Sequence, residues 1–373
     1  MDALMLPLNW QRVRLGDIGK PCMCKRVMKH QTTRYGEIPF YKIGTFGNTA
    51  DAFISKKLFL EYKTKYSFPK KGDILISASG TIGRAVIYDG KPAYFQDSNI
   101  VWIDNDETLV KNDFLFYAYS NVKWNTEHTT ILRLYNDNFR NTLIPLPPLN
   151  EQSAIANILS GLDRYLCALD ALILKKEGVK KALSFELLSQ RKRLKGFNQA
   201  WQRVRLGDIA NYLTSNLSVE QITQQGKIKV YDVNNFIGYT DTTFISDKPY
   251  ISIVKDGSVG RVRILPPKTN ILSTMGALIA NHRTTTEFLF YLLSNFDFKN
   301  FTSGSIIPHI YFKDYKEKTI FLPPLNEQIA IANILSDVDH EIASLKSKKS
   351  QFENIKKALN HDLMSAKIRV LKK

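Results

Sequence analysis

Arginine, serine and carboxamide side chains gather around two glycine turns, and those residue types can read the edges of nucleic-acid bases. The first turn lies in Lys70–Gly90, KKGDILISASGTIGRAVIYDG, and the second in Ser252–Leu265, SIVKDGSVGRVRIL. Aligned, Gly80 matches Gly257, Gly83 matches Gly260 and Arg84 matches Arg261. Arginine or lysine suits guanine, and asparagine or glutamine suits adenine. Candidate contacts in the first segment are Ser79, Thr81 and Arg84, with Gln96, Ser98 and Asn99 from the loop that follows. In the second they are Asn234, Asn235, Lys255, Ser258, Arg261 and His309. A scaffold or solvated role is open for each. Lys70, Lys71 and Lys313 suit phosphate or water.

Other chemistries find no pattern. Neither turn extends to a phosphate-cradling G-x-x-x-x-G-K-[ST] or G-x-G-x-x-G, so both read as hairpin turns needing glycine dihedrals. Pro-Pro pairs follow Leu146, Leu265 and Leu322 without the preceding Asn or Asp of an adenine methyltransferase motif. No Pro-Asp dipeptide is present to start a nuclease motif. The six histidines, at 30, 128, 282, 309, 340 and 361, include no pair at ligand spacing. Cys22 and Cys24 form a lone C-x-C, and with Cys167 they suit a reducing cytoplasm without a disulfide framework or a metal site. Glu151 and Glu327 could be a carboxylate pair, but their identical position at a helix start favours capping. No catalytic residue is expected.

The elements that must position these residues come in two copies. WQRVRLGDI occurs at Trp10–Ile18 and again at Trp201–Ile209. LPPLNEQSAIANILSGLD at Leu146–Asp163 returns as LPPLNEQIAIANILSDVD at Leu322–Asp339, identical at 15 of 18 positions. Between them the halves differ, and the first insert is longer by 15 residues. FYKIGTFGNTADAFIS (Phe40–Ser55) echoes VYDVNNFIGYTDTTFIS (Val230–Ser246), and strands are predicted at Ile74–Ser77 and Ala85–Tyr88. Such repeats decide architecture before any single motif does.

After each LPPLNEQ the apolar spacing alternates 3 and 4, the seam of a coiled coil. It runs through Ile155, Leu159, Leu162, Leu166, Leu169 and Ile173 in one copy. In the other it runs through Ile331, Leu335, Val338, Ile342 and Leu345, then Phe352, Ile355, Leu359 and Leu363. Asn150 and Asn326 suit N-caps, and Lys195–Gly196 suits the stop of the first helix. Gly178 predicts a weakened seam or bend near Lys176. The helices either bury their stripes against each other or each packs on its own globular part.

The 373 residues, 44% of them hydrophobic, imply more than one globular domain, and the net charge of +17 implies an acidic partner, nucleic acid first. The charge is spread, with +6 on residues 1–150 and +4 on residues 197–325, so it belongs to folded surfaces. No apolar run reaches membrane-spanning length and the N-terminus lacks signal-peptide blocks, which predicts a cytoplasmic protein.

The order W-x-x-V-x-L-G-D-I, variable insert, L-P-P-L-x-E-Q-x-x-I-A and long helix, all repeated, resembles the specificity subunit of type I restriction–modification systems. The resemblance covers nearly the whole chain, and KKGDILISASGTIG at Lys70–Gly83 is characteristic of that family's target recognition domains. Two departures stand out. Lys255-Asp256-Gly257 replaces Ser-x-Ser-Gly, and Thr129-Thr130-Ile131-Leu132 stands where the second copy has Gly304-Ser305-Ile306-Ile307. The resemblance implies an α+β fold: target recognition domains at 1–149 and 197–325, and long spacer helices at 150–196 and 326–373 packed as an antiparallel coiled coil. It implies a non-catalytic subunit that reads a bipartite site on double-stranded DNA. Two modification (methyltransferase) subunits would bring S-adenosylmethionine, and restriction subunits would bring ATP and Mg²⁺. Spacer and docking residues would be Leu149, Glu151, Gln152, Leu162, Leu166 and Leu169, and Leu325, Glu327, Gln328, Val338, Ile342 and Leu345. A fused methylase–nuclease system would use the same subunit. A coiled-coil adaptor without DNA explains the helices but not the basic inserts, and an autonomous nuclease or methyltransferase lacks its motifs.

Overall fold

The computed structural model describes residues 7, 9–126 and 132–370. They form two compact units, one of residues 1–169 with 348–373 and the other of residues 170–347. The units therefore do not follow the four consecutive segments of the repeat: each combines one globular insert with parts of both long helices.

In the first unit the strands Gly19–Met23, Ile100–Asn105, Ile74–Ser77 and Ala85–Ile87 form an antiparallel sheet in that order. Ile38–Tyr41 pairs antiparallel with Phe53–Ile54 and parallel with Tyr94–Phe95. The second unit repeats both sheets, with Ala210–Thr214, Met275–Ala280, Tyr250–Val254 and Val262–Leu265, and with Phe236–Thr240, Ile228–Tyr231 and Asn270–Ile271. The central strands of the larger sheets, ILIS and YISIV, are buried along their whole length, as runs without polar alternation require.

The echo between Phe40–Ser55 and Val230–Ser246 holds only over its first half. Thr33 bridges Phe53 as Thr223 bridges Tyr239, so Phe53 corresponds to Tyr239, not Phe244. Ser55 then caps the helix Lys56–Lys65, accepting from the Leu58 N–H at 3.2 Å, whereas Phe244-Ile245-Ser246 lies in a loop. That helix carries most of the extra length of the first insert.

The two repeated motifs meet in space. Gln11–Arg14 pairs antiparallel with Leu143–Leu146, and Gln202–Arg205 pairs with Thr319–Leu322 in the same register. Immediately beyond, the Trp10 indole N–H donates to Glu151 at 3.0 Å and Arg369 donates to the same carboxylate at 2.7 and 2.9 Å. Trp201 donates to Glu327 at 2.9 Å, and Arg193 donates to it at 2.6 and 3.2 Å. Gln152 accepts from the Lys111 N–H at 2.8 Å and donates to the Leu109 and Pro147 carbonyls. Gln328 does the same with the Thr285 N–H and the Arg283 and Pro323 carbonyls. Glu151, Gln152, Glu327 and Gln328 are therefore buried and cannot face a docking partner. Their polar heads close the seam where each insert begins and ends.

Capping is also arranged differently. The long helices span Leu149–Leu188 and Leu325–Met364, one residue ahead of Asn150 and Asn326. Pro148 O accepts the N–H groups of Glu151 and Gln152, and Pro324 O those of Glu327 and Gln328. The asparagines instead accept from the next residue's N–H at 2.9 Å. The first helix stops short of Lys195–Gly196: Gln190 turns into the left-handed region at φ +63°. Ala366 does the same at φ +57° after the second helix. The turn carries Arg193 and Arg369 back to their carboxylates, so tertiary contact sets the stop despite the cost of a non-glycine residue there. The helix runs unbroken through Gly178.

Both proposed ways of burying the stripes are used. Ile155 and Leu159 enter the core of their own insert, which Leu363 and Met364 from the end of the other helix also join. Ile331, Leu335 and Leu187 do likewise in the second unit. Within each unit the helices run antiparallel: Tyr165 packs on Phe352 at 4.7 Å, and Lys176 bonds Glu341 at 2.7 Å while Glu177 bonds Lys346 at 2.6 Å. Leu169, Ile173 and Ile342 are buried, and Leu162, Leu166, Val338 and Leu345 are half-buried along the seam. Ile355 is not in it, being 50% exposed; Lys356 faces inward beside it, paired with Asp163. Leu149 and Leu325 are exposed. Asp163 accepts from Tyr117 at 2.7 Å, and Asp339 accepts from Tyr291 at 2.9 Å with Lys180 at 2.5 Å.

Candidate nucleic-acid interface

Each insert carries one glycine hairpin, and the same backbone bonds shape both. Ser77 N–H donates to Arg84 O at 3.0 Å and Gly83 N–H to Ser77 O at 2.9 Å; Val254, Arg261 and Gly260 repeat this at 2.9 Å each. A later segment crosses over the turn. Gly80 N–H reaches Leu132 O at 3.1 Å and Gly257 N–H reaches Pro308 O at 2.9 Å. Leu134 N–H reaches Ala78 O, and Ile310 N–H reaches Lys255 O, both at 2.9 Å. Leu132 thus corresponds to Pro308, one residue later than the sequence alignment placed it; Thr129, Thr130, Ile131 and His128 lie outside the described residues.

The two glycines of each turn have different reasons. Gly83 and Gly260 have φ +83° and +80°, and a Cβ there would lie 2.1 Å from the Trp124 indole or 2.6 Å from the Phe298 ring. An aromatic floor therefore supports the turn from inside. Gly80 and Gly257, at φ +66° and +83°, face open space. The outer side of the turn is free for close approach of another backbone.

The expected contact residues divide by what already holds them. Ser79 is buried and its hydroxyl donates to Asn99 Oδ1 at 2.8 Å. Thr81 and Arg84 are exposed, but the Thr81 carbonyl accepts from the Ser77 hydroxyl and Arg84 donates to Phe46 O at 2.9 Å. Gln96 is a brace, its oxygen taking the Ile43 N–H at 2.9 Å. Ser98 is exposed at φ +54°, an uncommon conformation for serine. In the second unit Asn234 and Asn235 are exposed, their N–H groups bonded to Asp232 at 2.8 and 2.6 Å. Lys255 is half-buried, and Ser258 and Arg261 are exposed on the turn. His309 Nδ1 lies 2.6 Å from Asp256 Oδ1, and its ring stacks on Tyr311. Of the lysines, Lys70 is paired with Asp104 at 2.9 Å and Lys313 lies over the Tyr311 ring.

Four residues escaped sequence reasoning. Asp256 and Arg133 sit opposite His309 and Ser79 across the crossing segment. Arg263 donates to Asn234 O at 2.9 Å, supporting the Asn234–Asn235 loop much as Arg84 supports Phe46. Trp124 floors the first turn. Only Asp256 had a signal, its place in the alignment opposite Ser79. Among the described residues no cluster of three or more His, Cys, Asp or Glu could hold a metal. Burial pushes the Cys24 thiol up to about 12. No described helix is long and apolar enough to cross a membrane.

The family model for the type I restriction modification DNA specificity domain matches this chain twice, over residues 7–176 and 198–354. The chain belongs to that family. A type I specificity subunit is a DNA-recognition component, and the duplicated match follows the duplicated inserts. Among relatives, a type I restriction enzyme specificity subunit of Haemophilus influenzae is 64% identical over 148 residues, 39% of this chain and 38% of that protein. That match thus covers well under half of either protein. The MjaVIII type I specificity subunit of Methanocaldococcus jannaschii is 25% identical over 99% of this chain and 95% of its own length. A type I restriction–modification S subunit from M. genitalium, known from a crystal structure, shares the fold at TM-score 0.62 and 20% identity, covering 96% of this chain and 98% of its own.

Proposed function

We propose that this specificity subunit, without catalysis of its own, reads a split DNA sequence, one half with each glycine-turn insert. The paired helices hold the two halves at a fixed gap. The observation that carries this reading is the contrast between the units: one backbone frame, built by the same bonds in both, presents turns whose side chains differ. The net charge of +17 suits a polyanion.

The repeated surface supports two copies of one modification subunit as partners. Gln11, Arg12, Arg14 and Asp17 are exposed and identical to exposed Gln202, Arg203, Arg205 and Asp208; Leu149 and Asn150 match Leu325 and Asn326 in the same way. Asp17 and Asp208 accept the Arg14 and Arg205 N–H groups of their own turns. The side chains of Arg12 and Arg203, or of Leu149 and Leu325, have no such internal bond among the described residues, and the turns have diverged, so one partner type binding twice accounts for the pattern. Those partners would carry S-adenosylmethionine, and restriction subunits would supply ATP and Mg²⁺ chemistry.

The test is genome-wide adenine-methylation mapping with this chain and its modification subunit expressed together. A bipartite asymmetric site is expected. Deleting a whole helical turn near Gly178, with the matching block of the other helix, should change the gap and spare both half-sites. An altered half-site with the old gap would overturn the assignment of ruler and reader.

A further inference from the structure

We infer that Ser79 and Asp256 are positioning residues that fix the orientation of two different base readers, Asn99 in the first turn and His309 in the second. The inference rests on the reading that the glycine turns face DNA. Shared backbone bonds on both sides give Ser79 and Asp256 the same seat: Ala78 N–H donates to Asn99 O and Lys255 N–H to Thr274 O, while the next residues, Gly80 and Gly257, bond the crossing segment. From that seat the two side chains reach different partners. Ser79 donates to the Asn99 amide oxygen at 2.8 Å. Asp256 meets His309 Nδ1 at 2.6 Å. The positions are exchanged between the units, since Thr274 stands at the place of Asn99 and Arg133 at the place of His309.

Each lock leaves a polar edge unspent on a half-exposed side chain. The amide oxygen has a second lone pair, and among the described residues the amide nitrogen's two donors meet no acceptor. That edge matches the N6 and N7 pattern of adenine. The Ser79 hydroxyl anchors the amide plane against the turn by its bond to the amide oxygen. The backbone beside Asn99 is strained at Ser98, φ +54°, as at sites held ready for a ligand. For His309, a carboxylate on Nδ1 fixes the tautomer and directs Nε2 outward. The His309 backbone is tied to Ser303 in both directions, at 2.7 and 2.9 Å, so the ring has a rigid base.

The experiment uses the full complex with modification subunits, after the wild-type site is mapped. Binding is measured on DNA sets substituted one base pair at a time. Ser79→Ala and Asn99→Ala should each relax discrimination at the same A·T pair of one half-site by about fivefold or more, the lower end for a bidentate contact. The double variant should be no worse than Asn99→Ala. Asp256→Ala and His309→Ala should coincide at one pair of the other half-site, and Asp256→Asn, which still accepts from Nδ1, should retain discrimination. Thermal melting checks that each variant folds. If Asn99→Ala relaxes one pair while Ser79→Ala does not, or weakens all sites evenly, the positioning role is lost. If neither Asn99→Ala nor His309→Ala alters any preference, the glycine turns do not face the bases and the reading beneath it fails too.

Discussion

Trp10, Glu151 and Arg369 in one unit and Trp201, Glu327 and Arg193 in the other make the same hydrogen bonds, whereas Ser79 and Asp256 make different ones from equivalent backbone. The difference follows burial. A carboxylate wholly inside the protein must be satisfied by protein donors, so each of its partners is constrained. Ser79 is buried too, but its partner Asn99 is half-exposed, as are Asp256 and His309, so at the turn the partner can change while water absorbs the mismatch. The duplicated frames therefore match as sets of residues, and the glycine turns differ one side chain at a time.

The strongest way to break this comparison is to remove the buried carboxylates. Glu151→Ala and Glu327→Ala should each destabilise their unit by about 3–5 kcal/mol, because an arginine and an indole N–H lose their acceptor together. Urea unfolding of the two variants should give similar losses. A loss in one copy and none in the other would show that the frames are not equivalent. Next in size are the inward glycines. Gly83→Ala and Gly260→Ala force a ring to move and strain a left-handed residue, about 2–4 kcal/mol together. Gly80→Ala and Gly257→Ala add only the backbone strain, about 1–2 kcal/mol, since their sites are open. Equal losses at inner and outer glycines would remove the aromatic floor from the account.

A titration sharpens the same symmetry. Burial, and then the hydrogen bond to Asp163 or Asp339, raises the Tyr117 and Tyr291 phenols above the ordinary value in both units. The folded state thus holds the neutral phenol more tightly than the unfolded chain does. This contribution is complete below pH of about 10, the unfolded value, and is lost as pH rises toward the folded one. Tyr117→Phe and Tyr291→Phe should each flatten the alkaline fall in stability, followed by circular dichroism against pH. A variant whose alkaline slope is unchanged would show that its tyrosine is not held neutral by the fold.

Much of this architecture was legible because it was written twice. The 3–4 apolar spacing located both helices, and the strands at Ile74–Ser77 and Ala85–Ile87 followed from β-branched runs around glycine. What escaped was set by contacts distant in sequence. Ile355 has the spacing of a seam residue, but Lys356 is drawn inward by Asp163. Glu151 reads as a capping carboxylate, and only folding brings Trp10 and Arg369 to it. The helix stop at Gln190 obeys the distant Glu327, not the local Lys195–Gly196 signal. At the glycine turns, residue types could be proposed from composition, but the bonds that tie Gln96 to Ile43 and Arg84 to Phe46 could not.

Gly178 gives the smallest expected effect and isolates the long helix from both the frames and the glycine turns. It lies in the unbroken helix, and a Cβ there would meet nothing within 4 Å. Alanine removes unfolded-state freedom and restores helix propensity, so Gly178→Ala should stabilise by about 0.5–1 kcal/mol. Because no frame or turn residue touches the site, both half-sites and the gap should be unchanged in methylation maps. If instead the gap shifted, the glycine would be a flexing point of the helix, and the rigidity of the ruler would depend on that single residue.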